Sequence, residues 1–276
     1  MRTMHRAALP VLALASAAAL VACGGGSSSS TASATATASD AAMEASAGAT
    51  APVSGQLTVF AAASLKEAFE EIKTEFTKKN PDLTITYDFQ GSQDLVSNLA
   101  NGAAADVLAT ADEKSMTSAT EQSLVAEPSE FATNQLTLIV PPGNPGGITG
   151  LDSSLDGKDL VICADAVPCG NATNKLEEAL GITLSPASEE QKVTDVRTKV
   201  ESGEAEAGIV YKTDAATSGD KSDEITIPDG GVVNHYPLAV TSSASNTAAA
   251  QAFVDFVRGS EGQAILAKYG FGAPTK

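Results

Sequence analysis

Tryptophan is absent from this 276-residue chain, and four tyrosines with eight phenylalanines leave little material for a platform of stacked rings. Basic residues are scarce too: 17 lysines and arginines stand against 34 acids, a formal net charge of −17. So acidic a surface repels nucleic acid and offers no basic groove, which sets nucleic-acid partners aside. Histidine occurs only at His5 and His235. With His5 in a leader segment, most histidine metal sites are excluded and any Ser-His-Asp arrangement depends on His235 alone. The phosphate-cradling G-x-G-x-x-G and G-x-x-x-x-G-K-[ST] are missing, as are H-E-x-x-H and G-x-S-x-G. Ser64 is followed by Leu65, Lys66 and Glu67, which is not S-x-x-K. The paired acids Asp106 with Asp112 and Glu189 with Glu190 read as surface charges of an acidic chain rather than a general acid and base. The sequence therefore reads as a binder, with no enzyme chemistry and no cofactor.

What is present begins with a leader. "MRTMHR" is a basic start and "AALPVLALASAAALV" an apolar run ending in small residues, so residues 1–22 form an export signal. It closes on "LVAC", which resembles the lipobox of bacterial lipoproteins and makes Cys23 the lipidated first residue of the mature chain. The following Ser/Thr/Ala/Gly stretch, residues 23–54, is too small and polar to fold and long enough to hold a domain off a membrane. Without Arg2 and Arg6 the mature chain keeps 15 basic residues against 34 acidic ones, a net charge of −19. An anionic ligand would meet an opposing field, so local dipoles would have to attract it. Two cysteines remain, Cys163 and Cys169 in "VICADAVPCG"; in an exported chain such a close pair reads as a disulfide.

From Gln56 onward short apolar runs alternate with amphipathic ones. "LTVFAA" predicts a buried strand, and Leu65, Ala68, Phe69, Ile72 and Phe76 then recur at helical spacing until Asn80-Pro81. "LTITYDF", "DLVSNLA" and "ADVLATA" continue as strand, helix and strand, a parallel α/β unit. "QLTLIV" and the turn-rich "PPGNPGG" mark a crossing into a second lobe. There "DLVIC", "NATNKLEEALG", "VTDVRTKVES" and "AGIVY" repeat the alternation, "VVNHYPLAVT" leads back, and two helical stretches end the chain. The expected architecture is α/β with two lobes, the first from residues 55–136 and 229–276 and the second from 137–228. Small ligands bind in clefts between such lobes.

Two serines stand where strands hand over to helices. Ser64-Leu65-Lys66-Glu67 matches the capping box, and "GSQDL" sets Ser92 at another helix start. Both fall on the same rim of one sheet, where helix N-termini favour an anion.

"VFAAASLKEAFEEI", "DFQGSQDL", "ADVLATAD", "VPCGNAT" and "GEAEAGIVYKTDA", in this order and at these intervals, resemble the molybdate-binding proteins that serve ABC importers. The resemblance spans residues 56–276. It implies the two-lobed type II periplasmic-binding-protein fold, each lobe a mainly parallel sheet flanked by helices, closing as a monomer on one molybdate or tungstate ion for delivery to a membrane permease. Carried over by motif, Ser64 and Ser92 would bind through hydroxyl and amide, Cys169 and Val193 through backbone amides, and Tyr211 through its hydroxyl. Val196 is the alternative to Val193, which is preferred because it keeps the spacing to Tyr211. Molybdenum would enter only as the bound oxyanion. The chemistry agrees: a deprotonated dianion only accepts hydrogen bonds, so hydroxyls, amides and helix N-termini can satisfy it without an arginine. The competing readings are a binder of another small anion, and a secreted serine hydrolase using His235 with Ser64 or Ser92.

Overall fold

The computed structural model of the protein describes residues 51–275. The export signal, the lipidation at Cys23 and the linker up to residue 50 lie outside the described residues. Among the described residues no helix is long and apolar enough to cross a membrane.

The first sheet starts with β1 (Gly55–Ala62), in which Leu57, Val59 and Ala61 face one hydrophobic core and Phe60 another. This two-sided burial is why the strand reads as a nearly continuous apolar run. A 3-10 turn, Ala63–Leu65, leads into α1 (Lys66–Lys79), whose buried residues Ala68, Phe69, Ile72 and Phe76 follow helical spacing. Asn80 ends α1, its side-chain amide donating to the Phe76 carbonyl, and Pro81 cannot continue the helix. Then come β2 (Leu83–Gln90), α2 (Ser92–Ala100), β3 (Val107–Ala109), α3 (Glu113–Glu121) and β4 (Val125–Asn134). After β4 the chain crosses within two residues to β5 (Leu136–Val140) of a second sheet.

The second sheet continues with β6 (Leu160–Cys163), α4 (Pro168–Leu180), β7 (Ser188–Glu190), α5 (Val193–Glu201), β8 (Ala207–Tyr211), α6 (Lys212–Ser218) and β9 (Asp223–Ile225). The chain returns through β10 (Asn234–Thr241) and ends on α7 (Thr247–Arg258) and α8 (Ser260–Lys268). Strand orders are β2-β1-β3-β10-β4 and β7-β6-β8-β5-β9.

The two-lobed α/β architecture expected from the sequence is the one observed, with each sheet mixed. β1, β2 and β3 are parallel, as are β6, β7 and β8, while β10 runs antiparallel to β3 and β4, and β5 to β8 and β9. The antiparallel members are those through which the chain passes between sheets. α1, α7 and α8 cover one face of the first sheet, where Phe69, Phe76 and Phe253 pack ring against ring; Phe60 and Leu108 meet α2 and α3 on the other. The second lobe has its own core around Leu138, Ile139, Val196, Ile209 and Val210. The cores of the first lobe are separate from that of the second and leave a seam, and the helix-starting ends of both sheets open onto it.

Candidate functional site

At the seam lies a small, tight cavity lined from both lobes. The first lobe supplies Ala62, Ala63, Ser64, Gln90, Gly91, Ser92 and Ala111; the second supplies Val167, Pro168, Cys169, Lys192, Val193 and Tyr211. All five predicted ligand residues line this one cavity, although Ser64 and Tyr211 stand far apart in sequence. Val193 is the residue that lines it, as the first residue of α5, while Val196 is buried in the core of the second lobe. A larger groove on the first lobe, beside Met116, Pro128 and Arg258, holds none of the five.

The serines take their positions differently from what the capping pattern predicts. Ser64 lies inside the 3-10 turn, two residues before α1, and Leu65 is the N-cap without a side-chain hydrogen bond. The Ser64 Oγ instead lies 3.0 Å from the Tyr236 hydroxyl. Ser92 is the first residue of α2, Gly91 being its N-cap, and Ser92 Oγ accepts from the Ala111 N–H at 3.0 Å. A capping side chain must precede the helix and fold back on it. These two side chains are turned toward other parts of the first lobe.

Tyr211 ends β8 and is the N-cap of the short α6; its hydroxyl accepts from Asn234 Nδ2 at 2.8 Å. Burial, then the neighbouring Tyr236, Asp112 and Asp214, hold the Tyr211 phenol far above its ordinary pKa, so it stays protonated and able to donate. Tyr236 meets it edge to face, with ring centroids 5.9 Å apart, and burial likewise keeps its phenol protonated. Cys169 is the second residue of α4 and Val193 the first of α5. Their N–H groups belong to first turns, whose amides have no partner within the helix and carry positive partial charge. Cys163 and Cys169 are joined by a disulfide, tying the end of β6 to the start of α4.

The lobes touch around the cavity. Gln93 Nε2 donates to the Gln191 carbonyl at 3.1 Å, and Arg197 on α5 pairs with Glu67 on α1 at 3.1 Å. A Cβ at Gly91 would lie 2.4 Å from the Gln191 carbonyl oxygen, so glycine is what permits this approach. Lys192, missed as a lining residue because sequence spacing gives it no role, has its ammonium 3.7 Å from Asp195.

The remaining candidates fall elsewhere. His235 precedes Tyr236 on β10, and successive strand residues point to opposite faces. Its Nδ1 meets Glu130 at 3.2 Å, while Ser64 is engaged by Tyr236 and Ser92 by Ala111, so neither serine has the base a hydrolase needs. Asp106 and Asp112 are buried rather than surface charges. Asp106 accepts from the Thr58, Ser245 and Asn246 amides, and Asp112 caps α3 through the Ser115 N–H. Among the described residues no cluster of histidine, cysteine and acids could hold a metal ion.

Two mixed sheets flanked by helices, with no core shared between the lobes, and a seam cavity lined by hydroxyl-bearing residues and helix starts define a two-lobed binder of a small solute. The chain belongs to the bacterial extracellular solute-binding protein family, whose model matches residues 57–272. It is thus a solute-binding protein rather than an enzyme, of a kind that carries no cofactor. It is 42% identical over 221 residues to the molybdate-binding protein ModA of Mycobacterium bovis, covering 79% of this chain and 85% of the relative. To the Escherichia coli protein of the same name it is 32% identical over 230 residues, 79% and 89% of the two chains. The Azotobacter vinelandii periplasmic molybdate-binding protein superposes with a TM-score of 0.69 at 21% identity, over 79% of this chain and all of that one, a likeness of fold.

Proposed function

We propose that the protein captures molybdate or tungstate between its lobes and hands it to the membrane permease of an ABC importer. The observation that carries this reading is the convergence of the Ser64, Ser92 and Tyr211 hydroxyls with the first turns of α4 and α5 on one cavity. Such a shell offers donors to every oxygen of a tetrahedral dianion. Hydrogen bonds to an ion contribute about 1.5 to 3 kcal/mol each, and several outweigh the repulsion of an acidic surface that salt screens beyond about 8 Å. The names of the relatives point the same way. Ser64 and Ser92 bind by hydroxyl and amide, Cys169 and Val193 by amide, and Tyr211 by hydroxyl. The binding lobes are residues 55–136 with 229–276, and 137–228.

The protein acts as a monomer tethered outside the cell by a lipid on Cys23, after removal of residues 1–22, with residues 23–54 as the tether. Calorimetric titration with molybdate, tungstate, sulfate and phosphate tests the ligand. Strong binding of the first two is expected, and no heat and no thermal shift with either would end the reading. Cys23→Ala should release the protein into the medium; a variant that stays with the membrane fraction would remove the lipid anchor.

A further inference from the structure

The start of α4 is tied down by a covalent bond rather than by a cap. Val167, its N-cap, makes no side-chain hydrogen bond to the first turn, and Pro168 follows at the first helical position. Cys169 comes next, so its N–H is among those a helix cannot satisfy by itself. Its side chain is joined to Cys163, six residues back, with the two Cα atoms 5.6 Å apart. Six residues of extended chain would span about 20 Å, so the connection alone leaves the helix start room to move. Asn174 Nδ2 donates to Asp165 of that connection at 3.0 Å, but this bond is exposed and lies more than a turn further along α4. Cys163, by contrast, is fixed. It ends β6, which runs between β7 and β8, and it stands opposite Glu190, whose carbonyl accepts from the Ala164 N–H at 2.9 Å. The body of α4 has its own anchor in Ala172, Thr173 and Leu176, all buried.

We propose that Cys163 is a positioning residue for the bound ion: its disulfide holds the Cys169 amide against the cavity, so that reduction of the bond by a dithiol weakens binding. This rests on the reading of the cavity as an oxyanion site. In the reduction a thiolate of the dithiol attacks one sulfur of the bond and the other leaves as a thiolate. The second thiol of the reagent then resolves the mixed disulfide. The reagent departs as a disulfide, and the protein gains two electrons and two protons as two thiols. The two sulfurs, no longer bonded, must separate toward the roughly 3.5 to 4 Å at which non-bonded heavy atoms rest. Cys163 and Cys169 are both buried, so neither side chain can swing into solvent. The sheet holds Cys163, and the start of α4 is what yields. An amide that meets an oxygen at about 2.9 Å and then shifts by about an ångström no longer makes a hydrogen bond.

Binding and redox state are then linked, and the factor by which one changes the other is the same in both directions. Tungstate is the probe, because thiols reduce it less readily than molybdate. Calorimetry on the purified full-length protein compares the oxidised form with one reduced by dithiothreitol and freed of the reagent without air. The reduced form should bind tungstate about 10-fold more weakly, the lower end for one hydrogen bond to an ion. Saturating tungstate should lower the reduction potential of the Cys163–Cys169 bond by about 30 mV, the same tenfold for a two-electron couple. Mass spectrometry of the peptide carrying both cysteines, equilibrated in mixtures of reduced and oxidised dithiothreitol, measures that potential. Cys163→Ser with Cys169→Ser keeps the amide and should bind about 10-fold more weakly than the oxidised wild type, with or without dithiothreitol; it decides the matter should the reduced wild type unfold. Equal affinities of the oxidised and reduced forms, with a potential that tungstate does not move, would make the bond a staple of the fold and overturn this proposal alone. Unfolding of both the reduced protein and the double variant would do the same, as would two free thiols at Cys163 and Cys169 in protein purified in air. An oxidised wild type that binds neither molybdate nor tungstate would overturn the oxyanion reading and this proposal with it.

Discussion

Ser64 and Ser92 line the cavity from the first lobe, and the side-chain oxygen of each is held by a partner in that same lobe. The second lobe presents the starts of α4 and α5, where Cys169 and Val193 have amides to offer, and a tyrosine whose hydroxyl is held from the first lobe by Asn234. One half of the cavity thus depends on residue type, the other on backbone placement. Substitutions that remove a hydroxyl should be severe, and those that only change a side chain above an amide should be mild. The double variant Ser64→Ala with Ser92→Ala attacks the first half. At about 1.5 to 3 kcal/mol for each hydrogen bond to an ion, molybdate affinity should fall roughly 10²- to 10⁴-fold. Calorimetry that finds it unchanged in a protein of normal melting temperature would leave both serines with their internal partners only.

The buried acids of the two lobes extend the contrast. Burial alone would raise the pKa of Asp106 in the first lobe, but the Thr58 and Asn246 amides and Ser245 outweigh it and the pKa is lowered. Asp214 on α6 is pushed up to about 7, first by burial, with Arg197 4.0 Å away an insufficient counterweight because Glu67 and Glu201 share that guanidinium. A carboxyl whose pKa is raised on folding favours the native state while protonated, and this is lost as pH rises from about 4 through 7. Asp214→Asn should therefore stabilise the protein at pH 8 by on the order of 3 kcal/mol and leave it unchanged near pH 4. Urea unfolding at both pH values measures this. An equal effect at the two would show that Asp214 does not titrate in this window.

Gly91 and Gln191 meet where the halves approach each other. Gly91 has φ −61° and ψ 141°, which alanine adopts without backbone strain, so in Gly91→Ala the Cβ meets the Gln191 carbonyl oxygen and the end of the Gln93 side chain, which must swing aside. If the ligand is held by both lobes at once, affinity should fall roughly tenfold, with most of the change in the dissociation rate. Stopped-flow kinetics with an unchanged dissociation rate would mean that this approach is not needed for binding.

How far the site was legible follows the same division. Ser64 and Ser92 stood out because a hydroxyl at a strand-to-helix junction is visible in a single stretch of sequence. Their assignment as caps failed because a shift of one or two residues, into the 3-10 turn at Ser64 and the first turn of α2 at Ser92, separates capping from inward-facing geometry. The alternating strands and helices were legible from hydrophobic period, but the antiparallel course of β5 and β10 was not, since period says nothing of direction. An amide leaves no trace in residue type, so Cys169 and Val193 came from the resemblance alone. Nothing in the local sequence singles out Asn234 or Tyr236, whose partners Tyr211 and Ser64 lie 23 and 172 residues away.

The mildest substitution is the sharpest test of the amide half. Val193→Ala removes a nearly buried side chain at the first position of α5 and keeps the N–H in place. Trimming two methyl groups should lower stability by about 1 kcal/mol or somewhat more, because the neighbours cannot fully close over the space. Affinity, carried by an amide whose position the helix fixes, should change less than threefold. Val193→Pro keeps the helix, since proline is tolerated at its first position, but removes the hydrogen. Molybdate affinity should then fall roughly 10- to 100-fold. Equal affinities for the alanine and proline variants, both folded, would place the second lobe's contact at another group.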